Sequence, residues 1–376
     1  MRVAAVFVIA SLSLVAACTP TVTPTGTPSD RPMATPTGMP SSVGPSTTDT
    51  PTPTSTATTR AVTWTLQSTD GDVPDARSGH TWTADPSDAA AYLVGGRVAG
   101  TPVMDVWRYD LGADRWVARD PDGSMPAARS GHAAVWNDDL GVIVFGGELA
   151  GGTTAADLWA YDPQANAWRE IPPVALHPVG RTGACAAVGP DDRIWIDGGR
   201  AADGTPMSEL WVVDPLTGAW TQVDTTGSGP AARAGHACWW TPDGRFIVTG
   251  GSARDDVFGD VWALDGAEDG SVDGDLTWTR IAAETTAEPR SDAAWSRVSD
   301  RIVLVGGRDG FGSALDDVAA FDDLDATTEV FGTIGAAPAA RISGALVDDP
   351  AGERSLLFGG LVGATASDEL WRLQLP

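Results

Sequence analysis

Arginine recurs in this sequence with a regularity that invites a chemical role. Arg77, Arg129, Arg181, Arg233, Arg290 and Arg341 each open a short stretch of small residues, as in Arg77-Ser78-Gly79-His80 and Arg233-Ala234-Gly235-His236, at steps of 52, 52, 52, 57 and 51 residues. A guanidinium presents a planar fork of donors that matches a carboxylate bidentately. The six arginines can therefore hydrogen-bond loop carbonyls and acidic side chains between repeats, which is the expected main use. Alternatively, some of them ring a channel mouth and receive an anionic ligand. A second set, Arg97, Glu148, Arg200, Arg254 and Arg308, follows glycine pairs and changes from copy to copy. Such variation suits a site grafted onto a scaffold more than the scaffold itself.

Other chemistry is sparse. No Ser-His-Asp, paired-carboxylate or phosphate-loop arrangement is legible, and no cofactor is expected. Lysine is absent, and 24 basic residues face 50 acidic ones for a net charge of −26. A body this acidic repels phosphate backbones and anionic headgroups, so nucleic acid is excluded as a partner. The acidic run Asp265-Gly266-Ala267-Glu268-Asp269-Gly270-Ser271-Val272-Asp273-Gly274-Asp275 lacks calcium-loop spacing and reads as a solvated turn.

The elements that must position these residues repeat as well. Glycine pairs end apolar runs at Gly95-Gly96, Gly146-Gly147, Gly198-Gly199, Gly250-Gly251, Gly306-Gly307 and Gly359-Gly360. An acidic-apolar-Trp motif follows, as in Asp105-Val106-Trp107 and Asp157-Leu158-Trp159, and then a later Trp at 116, 168, 220 and 278, with Phe331 in one copy. Runs such as Val142-Ile143-Val144-Phe145 are apolar on both faces, the mark of a strand covered on both sides. The glycines allow a sharp exit from that strand. The Trp residues fill the gaps between radiating sheets.

This pattern resembles the kelch repeat, which has about 50 residues and four strands per blade. The resemblance covers residues 64–376 and implies an all-β, six-bladed β-propeller with four antiparallel strands per blade. The sixth copy ends after its third strand, while Trp64 lies 13 residues before Arg77, the step seen from Trp116 to Arg129. The strand around Trp64 is thus expected to complete the last blade and close the ring. In such a ring His80, His132 and His236 share one position, but blades 1 and 4 stand opposite, so no metal site is expected. Cys185 and Cys238 stand 4 and 5 residues after their repeat arginines, which predicts that they face opposite ways and stay unbonded. The propeller class also contains galactose oxidase, whose copper centre needs a Cys-linked Tyr. Here Tyr109 and Tyr161 belong to the repeat motif, so that activity is not expected. The sialic acid mutarotase type, working through channel Arg and Glu, is the catalytic alternative.

Residues 1–17 read as a signal peptide, with Arg2, an apolar run and Val15-Ala16-Ala17 before Cys18. The ending resembles the lipobox of bacterial lipoproteins, which implies that Cys18 is acylated. Residues 18–60 are rich in Thr, Pro and Ser, have little to bury, and read as a disordered envelope tether. Residues 61–376 form the propeller. The expected protein is a monomer on the outer face of the bacterial cytoplasmic membrane, touching the membrane only through lipidated Cys18. Its expected role is non-catalytic binding of a protein segment or glycan at the propeller loops.

Overall fold

Every element among the described residues is a strand, a bridge or a turn, and no helix occurs. The computed structural model describes residues 60–68, 71–282, 285–322, 327–349 and 354–376, all within the compact unit Ala57–Pro376. The signal segment, the tether up to residue 59 and Cys18 lie outside the described residues.

Each repeat builds a short antiparallel meander. In the second, Ala133–Asn137, Gly141–Phe145, Leu158–Asp162 and Ala167–Glu170 form a four-stranded sheet in chain order. The third repeat repeats this with Cys185–Val188, Ile194–Asp197, Leu210–Asp214 and Ala219–Gln222. Second strands are largely apolar because neighbouring sheets cover both of their faces. Gly141–Phe145 is buried at every position. Fourth strands are outermost, so Ala219–Gln222 buries only Trp220. The core consists of layers between sheets: Ile143, Phe145, Leu158 and Ala160 of repeat 2 meet Ile194, Ile196, Trp211 and Trp220 of repeat 3. These curled, face-packed sheets fit the β-propeller that the repeat resemblance implies.

Strand Ala61–Gln67 joins elements far away in sequence. It pairs antiparallel with Leu370–Gln374, Trp64 opposite Leu373, and parallel with Thr328–Ile334, Val62 opposite Thr333. Val62 and Trp64 sit in one buried cluster with Phe331, Trp371 and Leu373.

Backbone groups tie the repeats to one another. In five of the six pairs the second glycine donates its amide to the repeat arginine's carbonyl in the following copy: Gly147 to Arg181, Gly199 to Arg233, Gly251 to Arg290, Gly307 to Arg341, and Gly360 to Arg77, at 2.8–2.9 Å. Both glycines of the pair have positive φ, 68° and 101° at Gly146 and Gly147. A Cβ on Gly146 would lie 2.6 Å from the Arg181 carbonyl oxygen, so the close approach requires glycine. A second set of bonds forms a cycle with one residue from each repeat. Gly79 donates to Ser343, Ser343 to Asp292, Asp292 to Gly235, Gly235 to Gly183, Gly183 to Gly131, and Gly131 back to Gly79, at 2.7–2.8 Å. All six residues have φ between 54° and 68°. Glycine fills four places, and Asp292 and Ser343 carry the left-handed conformation in the other two.

One expectation is overturned. Cys185 and Cys238 form a disulfide with Cα atoms 5.9 Å apart. The two cysteines do face opposite ways: Cys185 pairs with Asp197, one place before Gly198, and Cys238 with Val248, two places before Gly250. Opposite faces nevertheless bring them together. The gap between two neighbours is bounded by the forward face of one and the rear face of the next, so residues on opposite faces of successive sheets meet in it. The link closes a 53-residue separation and ties inner strands that share no ladder. Such bridges typically contribute about 2–4 kcal/mol.

Candidate functional site

The six repeat arginines are buried, between 0 and 4% exposed. Each guanidinium donates to the acid of the third-strand motif in its own repeat: Arg77 to Asp105, Arg129 to Asp157, Arg181 to Glu209, Arg233 to Asp260, Arg290 to Asp317 and Arg341 to Glu369, at 2.7–3.3 Å. Each also donates to the carbonyl of the first glycine of its pair, as Arg77 does to Gly95 at 3.0 Å. A third N–H goes to the carbonyl two residues earlier. The expected acid pairing exists, but within a repeat. Only the arginine's own carbonyl reaches across, to the preceding glycine pair. In four repeats the motif's indole joins the pair, Trp107, Trp159, Trp262 and Trp371 donating to the same carboxylate. Burial pushes the pKa of Asp105, Asp157, Asp260 and Glu369 up, but the arginine and indole bonds outweigh it and hold each carboxyl below its usual range. These six arginines are struts of the loops, with their donors already engaged.

The histidines are struts too. His80, His132 and His236 are buried, and their rings fill the space left by the first glycine of the preceding repeat. A Cβ on Gly359, Gly95 or Gly198 would lie 2.8–3.1 Å from the respective imidazole Cε1. His132 Nε2 meets Thr81 Oγ1 at 2.9 Å, and His236 Nε2 lies 3.1 Å from Asp197 Oδ2. No group of three metal-ligating side chains occurs among the described residues. Burial first, then the adjacent arginine, lowers His80 and His132 to about 3. Both are neutral when folded but take up protons near 6.5 when unfolded. Their contribution is thus complete above pH 6.5 and is lost as pH falls from there toward 3. Urea unfolding should show each costing roughly 2 kcal/mol at pH 5 relative to pH 7.5. His132→Gln should flatten that slope, and an unchanged slope would refute the assignment.

The second set of candidates lies where the chain leaves the second strand. In an antiparallel meander the links between second and third strands, and between a fourth strand and the next first strand, emerge at the same end. Arg97, Glu148, Arg200 and Arg308 occupy equivalent positions, opposite Ser78, Ser130, Thr182 and Ser291. The equivalent residue in repeat 4 is Ser252, opposite Ala234. Arg254 lies two residues further on, in a hairpin with φ 53°. The residue that directly follows the glycine pair here is Ser252, so Arg254 is not a counterpart of Arg97, Glu148, Arg200 and Arg308. Repeat 6 places Leu361 there. Arg97 is held by Glu148 at 2.9 Å and by the Gly100 carbonyl. Arg200, Arg254 and Arg308 have no side-chain partner among the described residues. The links at this end also expose large apolar side chains: Phe311 is 92% exposed, Leu176 72%, Val174 71% and Val179 62%. Sequence periodicity could not flag these, because they stand in the links and do not recur.

A central cavity of about 1090 Å³ is lined by the first strands of all six repeats. Its lining starts at His80, His132, Ala184, His236, Ala293 and Gly344, each one residue past the hydrogen-bond cycle, and runs to Ser299, Asp349 and Pro376. Neither the six repeat arginines nor the second set line it.

Comparison with known proteins agrees with this architecture. The chain matches the KLHDC2/KLHL20/DRC7 Kelch-repeats domain over residues 48–251 and again over 142–360. It is similar to acyl-CoA-binding domain-containing protein 4 of Arabidopsis thaliana, 25% identical over 268 residues, which is 68% of this chain and 38% of that protein. Multiple epidermal growth factor-like domains protein 8 of Homo sapiens is 32% identical over 170 residues, 43% of this chain and 6% of that protein. Rab9 effector protein with kelch motifs of Rattus norvegicus is 27% identical over 205 residues, 53% of this chain and 55% of that protein. The chain thus spans between about one twentieth and just over half of these curated relatives. With a repeat match across most of its length and the arginine–acid struts, glycine pairs and strand meanders in place, the chain belongs to the kelch-repeat family.

Proposed function

We propose that this chain is a non-catalytic binding module that holds a protein segment at the face carrying Arg97, Glu148, Arg200, Arg254 and Arg308. The observation behind this reading is the combination, at one end of the sheets, of partnerless guanidinium groups and exposed apolar side chains. Loops on a rigid scaffold are the usual seat of recognition, and an aromatic anchor beside arginine is typical of strong contact points. The relative named as a Rab9 effector supports protein recognition over a glycan at this face.

The reading includes a six-bladed ring closed by the strand around Trp64, supported by the six-membered hydrogen-bond cycle and by the pairing of Trp64 with Leu373. It also includes export and anchoring through lipidated Cys18 on the outer face of the membrane. The buried Cys185–Cys238 bridge supports an oxidising location. The mutarotase alternative is less favoured, because the recurrent arginines are engaged in ion pairs and Glu148 holds Arg97 outside the cavity.

Capture of envelope proteins on the immobilised chain, followed by affinity measurement, tests the face directly. Arg200→Glu with Arg308→Glu, and separately Phe311→Asp, should each weaken a captured partner at least ~10-fold and leave the melting temperature unchanged. Full affinity in both variants would move the site elsewhere.

A further inference from the structure

The cavity at the centre of the sheets carries a second set of groups that the loop face does not use. The six residues paired four places before the first glycine of each pair are Ala84, Trp136, Val188, Trp240, Arg297 and Asp348. All six line the cavity, near its open end at the hairpins between first and second strands. They break the repeat: Trp240 packs into the core against Trp195 and Phe246, but the Trp136 indole, one guanidinium and one carboxyl stand where a scaffold needs only small apolar residues. Asp348 is half-buried, and its side-chain partner is the Ser355 hydroxyl at 3.2 Å. Arg297 sends one N–H to the Trp240 carbonyl. Trp136 stacks on Tyr92 with centroids 6.1 Å apart and planes 14° apart, which leaves it half-exposed with a fixed orientation.

From this set we infer that the cavity is a binding site for a neutral polyhydroxylated molecule of monosaccharide size, entering from the end opposite the arginine-bearing loops. Charge decides the class. The charged lining is Arg297 and Arg354 against Asp348 and Asp349, Arg354 and Asp349 being paired with each other at 2.8 Å; an ion of either sign therefore meets like charge, whereas a neutral ligand with both donors and acceptors complements Arg297 and Asp348 together. Hydroxyls suit that pair, and the C–H face of a sugar ring or cyclitol suits an indole. Thr81, Thr83 and Ser296 add further polar groups to the wall. Burial, with a smaller contribution from Asp349, pushes the Asp348 carboxyl up to about 6, against the Ser355 bond. Near that pH it can donate to a hydroxyl as well as accept from one. The cavity volume lies at the upper end of ordinary small-molecule sites.

Calorimetric titration of the full chain with N-acetylglucosamine, glucose and myo-inositol tests the inference. At least one probe should bind saturably. Asp348→Asn and Trp136→Ala should each weaken it by about 10-fold, and Ala84→Phe, which fills the same level without removing a polar group, should abolish it. The Arg200→Glu, Arg308→Glu variant should bind the probe as the wild type does, which separates this site from the protein-binding face. Absence of saturable heat with all three probes overturns the inference. So does binding that survives Ala84→Phe, or that disappears with the loop arginines.

Discussion

Asp260→Ala is expected to destabilise the domain by about 3–5 kcal/mol, the cost of leaving a buried charge without its partner. Among the six arginine–acid struts this pair is the most enclosed, with the side chains 1% and 10% exposed. In the other five the acid side chain is 26–42% exposed, so water takes over part of its role when it is removed. Arg233 donates to both Asp260 oxygens, at 2.8 and 3.2 Å, and to the Gly250 carbonyl. Its guanidinium lies 4.3 Å from the centroid of the Phe258 ring. Without the carboxylate, that cation keeps the Ala231 and Gly250 carbonyls and a ring face but has no counter-charge while still buried, and the Trp262 indole loses its acceptor. Asp105→Ala, in the exposed counterpart, should cost visibly less. The double variant Arg233→Met, Asp260→Leu should recover much of the loss, because a buried pair replaced by apolar volume leaves nothing unpaired. Urea unfolding of the three variants provides the comparison. Equal losses for Asp260→Ala and Asp105→Ala, or a double variant as unstable as Asp260→Ala, would show that enclosure of the pair is not what matters.

Why the scaffold was legible and the sites were not follows from what repeats. Arg77 and its five counterparts, the glycine pairs and the acidic-apolar-Trp motif recur because the same joint is made six times, so spacing alone exposes them. The partner of each arginine was in the pattern as well, 27 or 28 residues downstream, but periodicity does not say whether such a residue meets its own repeat or the next. The hydrogen-bond cycle through Gly79 and Asp292 is made by backbone groups. Its sequence trace is only a preference for left-handed φ, which Asp292 and Ser343 satisfy without glycine. Cys185 and Cys238 show a related limit: face parity was correct, but the geometry between sheets reversed its consequence. Arg254 shows the risk of matching residue type over position: the direct successor of its glycine pair is Ser252. Phe311 and Asp348 are the opposite case. They occur once, and a residue that breaks a repeat carries no spacing signal at all. Function in such a fold is read from departures, and departures become visible only when the register aligns the copies.

Removing residues 1–60 should leave the melting temperature nearly unchanged, whereas removing residues 1–67 should lower stability by an amount on the order of 5 kcal/mol. The first cut removes Arg60, whose side chain makes an exposed ion pair with Glu329 and a bond to the Pro376 carbonyl. Exposed pairs of this kind contribute about 0–1 kcal/mol. The second cut removes Val62 and Trp64, both buried against residues of the fifth and sixth repeats. It also strips the ladder partners from Leu370–Gln374 and Thr328–Ile334, leaving two open strand edges where there was a shared one. Trp64→Ala in the full chain separates the two contributions. It keeps the backbone ladder and loses the indole, so about 3–5 kcal/mol should go with no change in the state of association. The longer truncation should in addition associate through its exposed edges. If both truncations melt at the same temperature, the strand around Trp64 does not close the ring, and the pairing with Leu373 is incidental to stability.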